Sequence, residues 1–269
     1  MKHLLTIAGS DSSGGAGIQA DLKTFAAHGT FGMSVITAVT AQNTCGVMKV
    51  QDIDPDIITA QLDAVFGDIA VDAVKIGMVS RSESIRAIAA GLRKWKPAMV
   101  VLDPVMVSKS GYDLLHPEAC QTLLGELLPL ATLVTPNLPE AEKICGFSIT
   151  NEPEMERAGR AIVQLGARAV LVKGGHLATD RSDDYLYDGS RGIWIPGRRV
   201  SSRNTHGTGC TLSSALAADL ARGLSLEEAV RAAKAYVTKA IEHGIALGHG
   251  VGPTHHFVDL YQKAGIFEP

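Results

Sequence analysis

A glycine-rich segment stands directly before a helical pattern late in the chain and reads Asn204-Thr205-His206-Gly207-Thr208-Gly209-Cys210-Thr211. Gly207 and Gly209 carry no side chain, so several amide N–H groups of the first helical turn can converge on one anion. The helix dipole strengthens that attraction. The segment also fits a plain helix cap in which Thr205 or Thr208 is the acceptor. Both interpretations stay open at this point.

Cys210 lies in the first turn of the helix that follows. Amide groups at a helix N-terminus stabilise a thiolate, so we expect a lowered pKa for this thiol if solvent reaches it. The alternative is a small buried hydrophobic residue, which suits Cys45, Cys120 and Cys145 better. The four cysteines contain no C-x-x-C pair, and this spacing favours a reducing cytoplasm.

Two further polar groups follow predicted strands. Asn137-Leu138-Pro139-Glu140 has the spacing of a capping box, and its carboxylate and amide oxygens also suit Mg²⁺. Lys173 precedes Gly174-Gly175, where it is either a surface lysine with a buried stem or a cation that neutralises phosphate. The chain contains no G-x-x-x-x-G-K-[ST] segment, which argues against a P-loop enzyme.

Short apolar runs alternate with longer helical patterns and predict the elements that position these groups. Leu4 to Ala8, Ile18 to His28 and Met33 to Ala41 open a strand–helix–strand series. Strands this apolar indicate a mostly parallel sheet covered by helices on both faces. Asp184 to Tyr187 and Gly192 to Ile195 predict an antiparallel hairpin at its end. No linker or repeat divides the chain, so we expect a single domain over residues 1–269.

The chain has 269 residues, 46% of them hydrophobic, and a formal net charge of −3. This balance provides no whole-surface attraction for nucleic acid or for an anionic membrane, so we expect neither partner. The uncharged stretch between Lys23 and Lys49 is interrupted by polar residues and predicts buried core. The apolar run from Leu4 to Gly9 is too short for an export signal, which favours a cytoplasmic location.

Several segments together closely resemble those of hydroxymethylpyrimidine/phosphomethylpyrimidine kinases, in the same order and over nearly the whole chain. They are Ala8 to Lys23, Thr40 to Thr44, Lys75 to Met78, Leu102 to Met106, Lys109 to Gly111, Thr135 to Ala141, Val172 to His176 and Asn204 to Leu212. The resemblance implies an α/β ribokinase-like fold, a three-layer sandwich with a mostly parallel central sheet. It also implies a small flap at Ser108 to Tyr112 that excludes water during transfer.

The same resemblance implies an activity. Such enzymes transfer the γ-phosphoryl group of ATP to hydroxymethylpyrimidine, then add a second phosphoryl group to its monophosphate, making the pyrimidine half of thiamine. The family also implies Mg²⁺ and a homodimer.

Site residues carry over position by position. On the pyrimidine side they are Gln42 for the aminopyrimidine, Met78 and Val105 as apolar walls, and Asp21 and Ala16 near the ring. On the phosphate side, Gly207, Thr208, Gly209 and Cys210 form the anion hole, with Lys173, Gly175, Thr205, Asn137 and Glu140 around the phosphates. Asp103 and Glu140 are the implied Mg²⁺ ligands.

Two departures and two alternatives accompany the resemblance. The wider superfamily has an aspartate as general base where this chain has Cys210, and the family's usual proline is Ser12 here. One alternative function is a pyridoxal or pyridoxine kinase of the same fold, and another is a non-catalytic ligand-binding relative. The Gln42 amide favours the aminopyrimidine because it offers both a donor and an acceptor.

Overall fold

The computed structural model describes residues 1–107, 111, 114–116, 118–177 and 181–266. The strands are β1 His3–Ala8, β2 Phe31–Ile36, β3 Ala38–Asn43, β4 Gly46–Asp52, β5 Ala73–Ile76, β6 Val100–Leu102, β7 Leu133–Val134, β8 Val170–Val172, β9 Asp184–Tyr187 and β10 Gly192–Ile195. The α-helices are α1 Gly17–Ala27, α2 Pro55–Asp68, α3 Ser82–Trp95, α4 Ala119–Thr122, α5 Leu138–Cys145, α6 Glu152–Gln164, α7 Thr208–Ala221, α8 Leu226–Glu242 and α9 Val258–Ala264.

The main sheet has the strand order β10-β9-β8-β7-β6-β5-β1-β2. The six strands from β8 to β2 in that order run parallel, and β9 and β10 pair antiparallel at the end. The predicted hairpin is therefore confirmed. β1 lies between β2 and β5, so the order of strand addition reverses there. Ligands of open α/β sheets bind beyond the carboxyl ends of strands at such a reversal.

Alternate residues of the strands face two separate cores. Leu5 and Ile7 of β1 pack in a cluster with residues of α2, α3, α5 and α6, whereas Leu4 packs with residues of α1, α7 and α8. Burying both faces of an apolar sheet in this way removes large hydrophobic areas from water. The result is the expected α/β sandwich of three layers.

The prediction of one strand from Met33 to Ala41 is wrong. The main sheet keeps β2 only to Ile36, and β3 then pairs with β4 in a separate two-stranded antiparallel sheet. Thr37 holds the junction, because its amide donates to Ala8 O at 3.0 Å and its hydroxyl to Met78 O at 2.7 Å. Threonine favours extended backbone, so nothing in the sequence marks the point where the chain leaves the sheet.

The sequence pattern from Pro117 to Leu127 predicts a single helix, whereas the described part of this segment is divided. A short α4 passes into a π-helical turn at Leu123–Leu127 and a 3₁₀ turn at Leu128–Leu130. Pro129 lies within the last turn and ends the regular helix. Pro117 and the predicted flap, apart from Gly111, lie outside the described residues. Within the described parts of the chain, none of the helices has the length and apolar character needed to span a bilayer.

Candidate active site

The carboxyl ends of the parallel strands bring the candidate residues to one edge of the sheet. The loop Gly9 to Ala16 follows β1, Met78 follows β5, Asp103 follows β6, Asn137 follows β7 and Lys173 follows β8. The N-terminus of α7 lies at the same edge, because a β-carbon on Gly209 would be 3.3 Å from Asp103 Oδ2 and 3.6 Å from Lys173 Nζ. The side chains predicted around phosphate therefore meet.

The glycine loop before α7 exposes helix amides at this edge. Gly207 is the N-cap residue with φ +77°, a left-handed conformation that favours glycine, and a β-carbon there would overlap Gly15 O. No described side chain caps α7, and the Thr208 hydroxyl donates to Thr205 O at 2.7 Å. The plain-cap interpretation is therefore wrong, since neither Thr205 nor Thr208 accepts from the helix. The first amides of α7 are available for an anion.

Lys173 and Asp103 form an ion pair under that loop. Lys173 Nζ lies 3.1 Å from Asp103 Oδ1, which also accepts from the Thr135 hydroxyl at 3.2 Å. Burial lowers the pKa of Lys173, but the carboxylates of Asp103 and Glu140 outweigh it and raise that pKa. The lysine therefore stays protonated and presents a positive charge near the α7 amides.

The Asn137–Glu140 segment caps α5 as a complete capping box. Glu140 N donates to Asn137 Oδ1 at 2.9 Å, and Asn137 N donates to Glu140 Oε2 at 2.8 Å. Burial raises the pKa of Glu140 to about 7, against the attraction of Lys173 and with added repulsion from Asp103. The Glu140 carboxyl group thus caps α5 and also lies near the positive charge of Lys173.

Asp103 and Glu140 would supply carboxylate oxygens of the kind that Mg²⁺ takes. Among the described side chains, no group of three His, Cys, Asp or Glu residues is arranged to hold a metal ion. Mg²⁺ in phosphoryl-transfer sites needs only one or two carboxylates, because phosphates and waters complete its shell. A cation between the two carboxylates would also relieve the repulsion that contributes to the raised pKa of Glu140.

Gly175 lies in a short 3₁₀ turn directly after Lys173. Its carbonyl accepts from Arg199 Nη1 at 2.9 Å, while Arg199 Nη2 donates to Leu177 O at 2.8 Å. The turn is therefore tied to the segment that leads into the glycine loop. Its predicted contact with phosphate stays a prediction.

Cys210 is the third residue of α7 and is half-buried. Burial raises its pKa to about 11, although Lys75 and the Gly17 amide act in the opposite direction. Asp21 and Asp103 raise it further. The prediction of a lowered pKa is therefore wrong, because desolvation and two nearby carboxylates exceed the effects of Lys75 and the Gly17 amide.

Gln42 is held in place from both sides. The backbone N–H of Gln42 donates to Ser12 Oγ at 2.8 Å, and the same hydroxyl donates to the backbone carbonyl of Gln42 at 2.7 Å. The β3 register shifts between Ala41 and Gln42, and such irregularities redirect side chains near active sites. Gln42 Oε1 accepts from the Thr40 hydroxyl at 3.2 Å, while Nε2 lies 3.5 Å from His206 Nε2. Ser12 therefore contributes contacts that a proline would not make.

Met78 and Val105 belong to one small apolar cluster with Ala38, Leu114 and Val50. The predicted apolar walls are thus brought together. Ala16, the N-cap residue of α1, is half-buried and lies against Gly207. Ala16 therefore lies where the loop after β1 contacts the loop before α7.

Asp21 does not reach a ligand in this arrangement. Its side chain is fully buried, and its carboxylate accepts from Lys75 at 2.9 Å, from the Thr6 hydroxyl at 2.6 Å and from the Ser214 hydroxyl at 2.7 Å. The position gives Asp21 no surface with which to contact a pyrimidine ring. It lies beneath the site instead.

Two residues that the sequence did not single out join the halves of the site. His206 Nε2 lies 2.8 Å from Asp11 Oδ2, and Asp11 also accepts from the amides of Ser13, Gly15 and Ala16. Burial raises the pKa of Asp11, but hydrogen bonds from His206 and Ser13 outweigh it and hold that pKa well below its usual range. Both residues lie inside the glycine-rich segments described above. Their polar side chains are the one feature of the sequence that could have marked them as site residues.

The structure combines a mostly parallel sheet with an uncapped helix N-terminus, a half-buried lysine and two carboxylates at its carboxyl edge, and this arrangement is that of a ribokinase-like kinase. The sequence model described as phosphomethylpyrimidine kinase matches residues 11–255. The chain belongs to that family.

Relatives agree over nearly the full length. The hydroxymethylpyrimidine/phosphomethylpyrimidine kinase of Rhizobium meliloti strain 1021 is 57% identical over 256 residues, which are 94% of this chain and 96% of that protein. The crystal structure of phosphomethylpyrimidine kinase from Clostridium difficile 630 has a TM-score of 0.81 at 53% identity, covering 90% of this chain and 100% of that one.

Pyridoxal kinases share the same fold. The ADP complex of the Staphylococcus aureus pyridoxal kinase has a TM-score of 0.90 at 38% identity, covering 96% of this chain and 94% of that one. The backbone therefore resembles both kinds of kinase, whereas the sequence is closer to the pyrimidine kinase.

Proposed function

We propose that this kinase transfers the γ-phosphoryl group of ATP to the hydroxymethyl group of 4-amino-5-hydroxymethyl-2-methylpyrimidine and then phosphorylates the monophosphate to the diphosphate, for thiamine synthesis. The observation that carries the proposal is the position of His206. Its ring lies 3.5 Å from the Gln42 amide on one side, and the next residue, Gly207, is the N-cap of α7. A small ring held at Gln42 would thus lie next to the phosphate side.

Gln42 supplies the recognition of the ring. A primary amide donates from nitrogen and accepts at oxygen, which matches an exocyclic amine beside a ring nitrogen. Met78 and Val105 would pack against the ring, since they share an apolar cluster. Ser12 fixes the backbone of Gln42, so the amide is oriented before substrate arrives.

The phosphate side would stabilise the transferred group by charge and by oriented amides. The amides of Gly207 to Cys210 face the developing negative charge at the helix terminus. Lys173 adds a positive charge that its carboxylate neighbours keep protonated. Mg²⁺, when bound at Asp103 and Glu140, supplies neutralisation of the nucleotide phosphates.

Cys210 would contact the acceptor oxygen rather than act as a standing thiolate. A thiol with a pKa of about 11 is protonated near neutral pH, so it can donate a hydrogen bond but cannot accept a proton from the acceptor hydroxyl. The second acceptor is a phosphate that is already ionised, and phosphoryl transfer depends mainly on positioning. A strong base is therefore not required.

A groove of about 520 Å³ is large enough for the nucleoside of ATP. It runs between the end of β10 and α8, with Ile195, Thr238 and His243 in its lining, and also contains Lys234 and Lys239, which pair with Asp184 and Asp259. Asn204 connects it to the glycine loop by donating to Gly244 O at 3.0 Å. The groove and loop would hold the two ends of one nucleotide.

A pyridoxal kinase activity is the second candidate, because the pyridoxal kinase of Staphylococcus aureus superimposes with a TM-score of 0.90. A thiol near an aldehyde can capture it as a hemithioacetal, which gives Cys210 a role there too. The Gln42 amide favours the aminopyrimidine. The two activities differ in acceptor and share the phosphate machinery.

ATP consumption measured with hydroxymethylpyrimidine, with pyridoxal and with no acceptor tests the proposal. We expect turnover that depends on hydroxymethylpyrimidine. Turnover with pyridoxal alone would favour the second candidate, and no turnover with either acceptor would favour a non-catalytic relative. The single-domain organisation, the homodimer and the cytoplasmic location stay predictions from sequence.

A further inference from the structure

A buried ion pair lies beneath the candidate transfer site and takes no part in the proposed binding contacts. Lys75 and Asp21 each have no exposed side-chain surface, and Lys75 Nζ is 2.9 Å from both carboxylate oxygens. Two charges taken out of water lose much of their hydration, and an apolar pair often stabilises a core as well. Because the loss of hydration makes this ion pair a weak source of stability, we looked for a second role for it in the site.

The carboxylate of Asp21 connects four elements at one point. Asp21 is on α1 and Lys75 on β5, while hydroxyl groups donate from Thr6 on β1 at 2.6 Å and from Ser214 on α7 at 2.7 Å. A carboxylate with four donors in fixed geometry has little freedom to move. The second turn of α7 is therefore tied to α1, β1 and β5.

Cys210 lies one helical turn before Ser214 and on the same face of α7. The Gly17 amide at the start of α1 donates to its sulfur. Helix α1 thus contacts α7 at both Cys210 and Ser214. Cys210 thus lies on the same helix face as the hydroxyl group that donates to Asp21.

Space for the ammonium group depends on Gly77. A β-carbon at Gly77 would lie 2.7 Å from Lys75 Nζ and 3.1 Å from the Ala8 β-carbon. The ammonium therefore reaches past Gly77, the first residue after β5 at the active-site edge. The charged groups that bear on Cys210 are then Lys75, Asp21 and Asp103.

We propose that Lys75 and Asp21 are positioning residues that hold the N-terminus of α7 and set the electrostatic environment of the Cys210 thiol. The positive charge of Lys75 favours the thiolate and the negative charge of Asp21 opposes it, so the two residues act on the thiol in opposite directions. The inference deepens the proposed function, on which its kinetic part rests.

Because Lys75 and Asp21 carry opposite charges, removing one or the other should change the alkylation rate of Cys210 in opposite directions. Alkylation of Cys210 by iodoacetamide at pH 8, followed by peptide mass mapping, reports the thiolate fraction at that one position. We expect Lys75→Met to slow it about threefold or more and Asp21→Asn to accelerate it by a similar factor. A loss of packing alone would change both variants in the same direction.

Kinetics provide the second readout. We expect both variants to lower kcat about tenfold while KM for ATP changes less than threefold. The nucleotide would still bind, but the N-terminus of α7 would be displaced from its position at the transferred phosphoryl group. Lys94→Met is the matched control, since Lys94 forms an exposed pair with Asp63 at 2.8 Å, and it should change neither readout.

Folding is checked by thermal melting of each variant. If Lys75→Met fails to fold, Asp21→Asn and Ser214→Ala test the same cluster, and Ser214→Ala should lower kcat with the ion pair intact. Alkylation that changes in the same direction in both charge variants, or an unchanged kcat in Asp21→Asn and Ser214→Ala, would overturn the proposal. Alkylation needs no substrate, so an incorrect proposed function would leave that readout intact.

Discussion

The carboxylate of Asp11 and the imidazole of His206 are 2.8 Å apart although 195 positions separate them in the chain. Asp11 collects the amides of the loop after β1, and His206 lies directly before the glycine N-cap of α7. The contact therefore joins the pyrimidine side of the site to its phosphate side.

Replacing His206 tests this connection. We expect His206→Ala to raise KM for hydroxymethylpyrimidine and to lower kcat, with kcat/KM falling about tenfold to a hundredfold, because Asp11 is left buried without one of its donors. Steady-state kinetics with each substrate varied in turn measure both effects. His249→Ala is the control, since His249 is exposed, and it should leave kinetics unchanged. Equal values for the two variants would show that His206 has no part in the site.

Gln42→Ala should weaken pyrimidine binding more than nucleotide binding. The amide would no longer pair with the ring, whereas the α7 amides and Lys173 remain, so we expect KM for hydroxymethylpyrimidine to rise about tenfold or more. KM for ATP should change little. Gln51→Ala provides a matched control, because Gln51 is exposed on the neighbouring strand β4. Equal losses for both substrates would indicate that Gln42 is structural.

Cys210→Ala should reduce phosphorylation of the hydroxymethyl group about a hundredfold while leaving the melting temperature nearly unchanged. The second phosphorylation should suffer less, because its acceptor is already ionised. Single-turnover reactions starting from either acceptor separate the two steps. Cys45→Ala, at an exposed cysteine, should behave as the wild type. Unchanged turnover of the first acceptor would remove Cys210 from the mechanism.

Glu140 predicts a pH dependence of stability. Its pKa is about 7 in the folded protein and near its ordinary value of 4.5 when unfolded, so the folded state holds more protons between these values. The stabilising contribution is complete below pH 4.5 and is lost as the pH rises through 7, on the order of 3 kcal/mol in all. Urea titrations from pH 4 to pH 8 measure the free energy of unfolding.

In Glu140→Gln this part of the pH dependence should disappear, and Mg²⁺ with ATP should flatten it in the wild type. Glu118→Gln, at an exposed carboxylate, controls for the general loss of charge. The same slope in wild type and Glu140→Gln would contradict the raised pKa.

The sequence was sufficient to predict that Asp103, Asn137 and Lys173 lie near one another, because parallel strands place their carboxyl ends at one edge of the sheet. Burial could not be derived in the same way. Asp21 was assigned to the ring from resemblance, yet it lies in the core with Lys75. The pKa of Cys210 was predicted from helix amides alone, whereas desolvation dominates it.

Long-range partners were the other gap. Asp11 and His206 lie in different halves of the chain, and no spacing rule connects them. The departure of β3 from the main sheet at Thr37 was missed because the extended pattern continues through it. These features depend on packing between distant segments, which local patterns do not specify.

The most direct test of the proposed function is product identification with the acceptors compared under identical conditions. Hydroxymethylpyrimidine or pyridoxal is supplied with ATP and Mg²⁺, and products are followed by mass spectrometry over time. We predict the pyrimidine monophosphate first and the diphosphate next, with kcat/KM for hydroxymethylpyrimidine about a hundredfold above that for pyridoxal. Formation of pyridoxal 5'-phosphate with the higher kcat/KM, and no pyrimidine diphosphate, would contradict the proposed function.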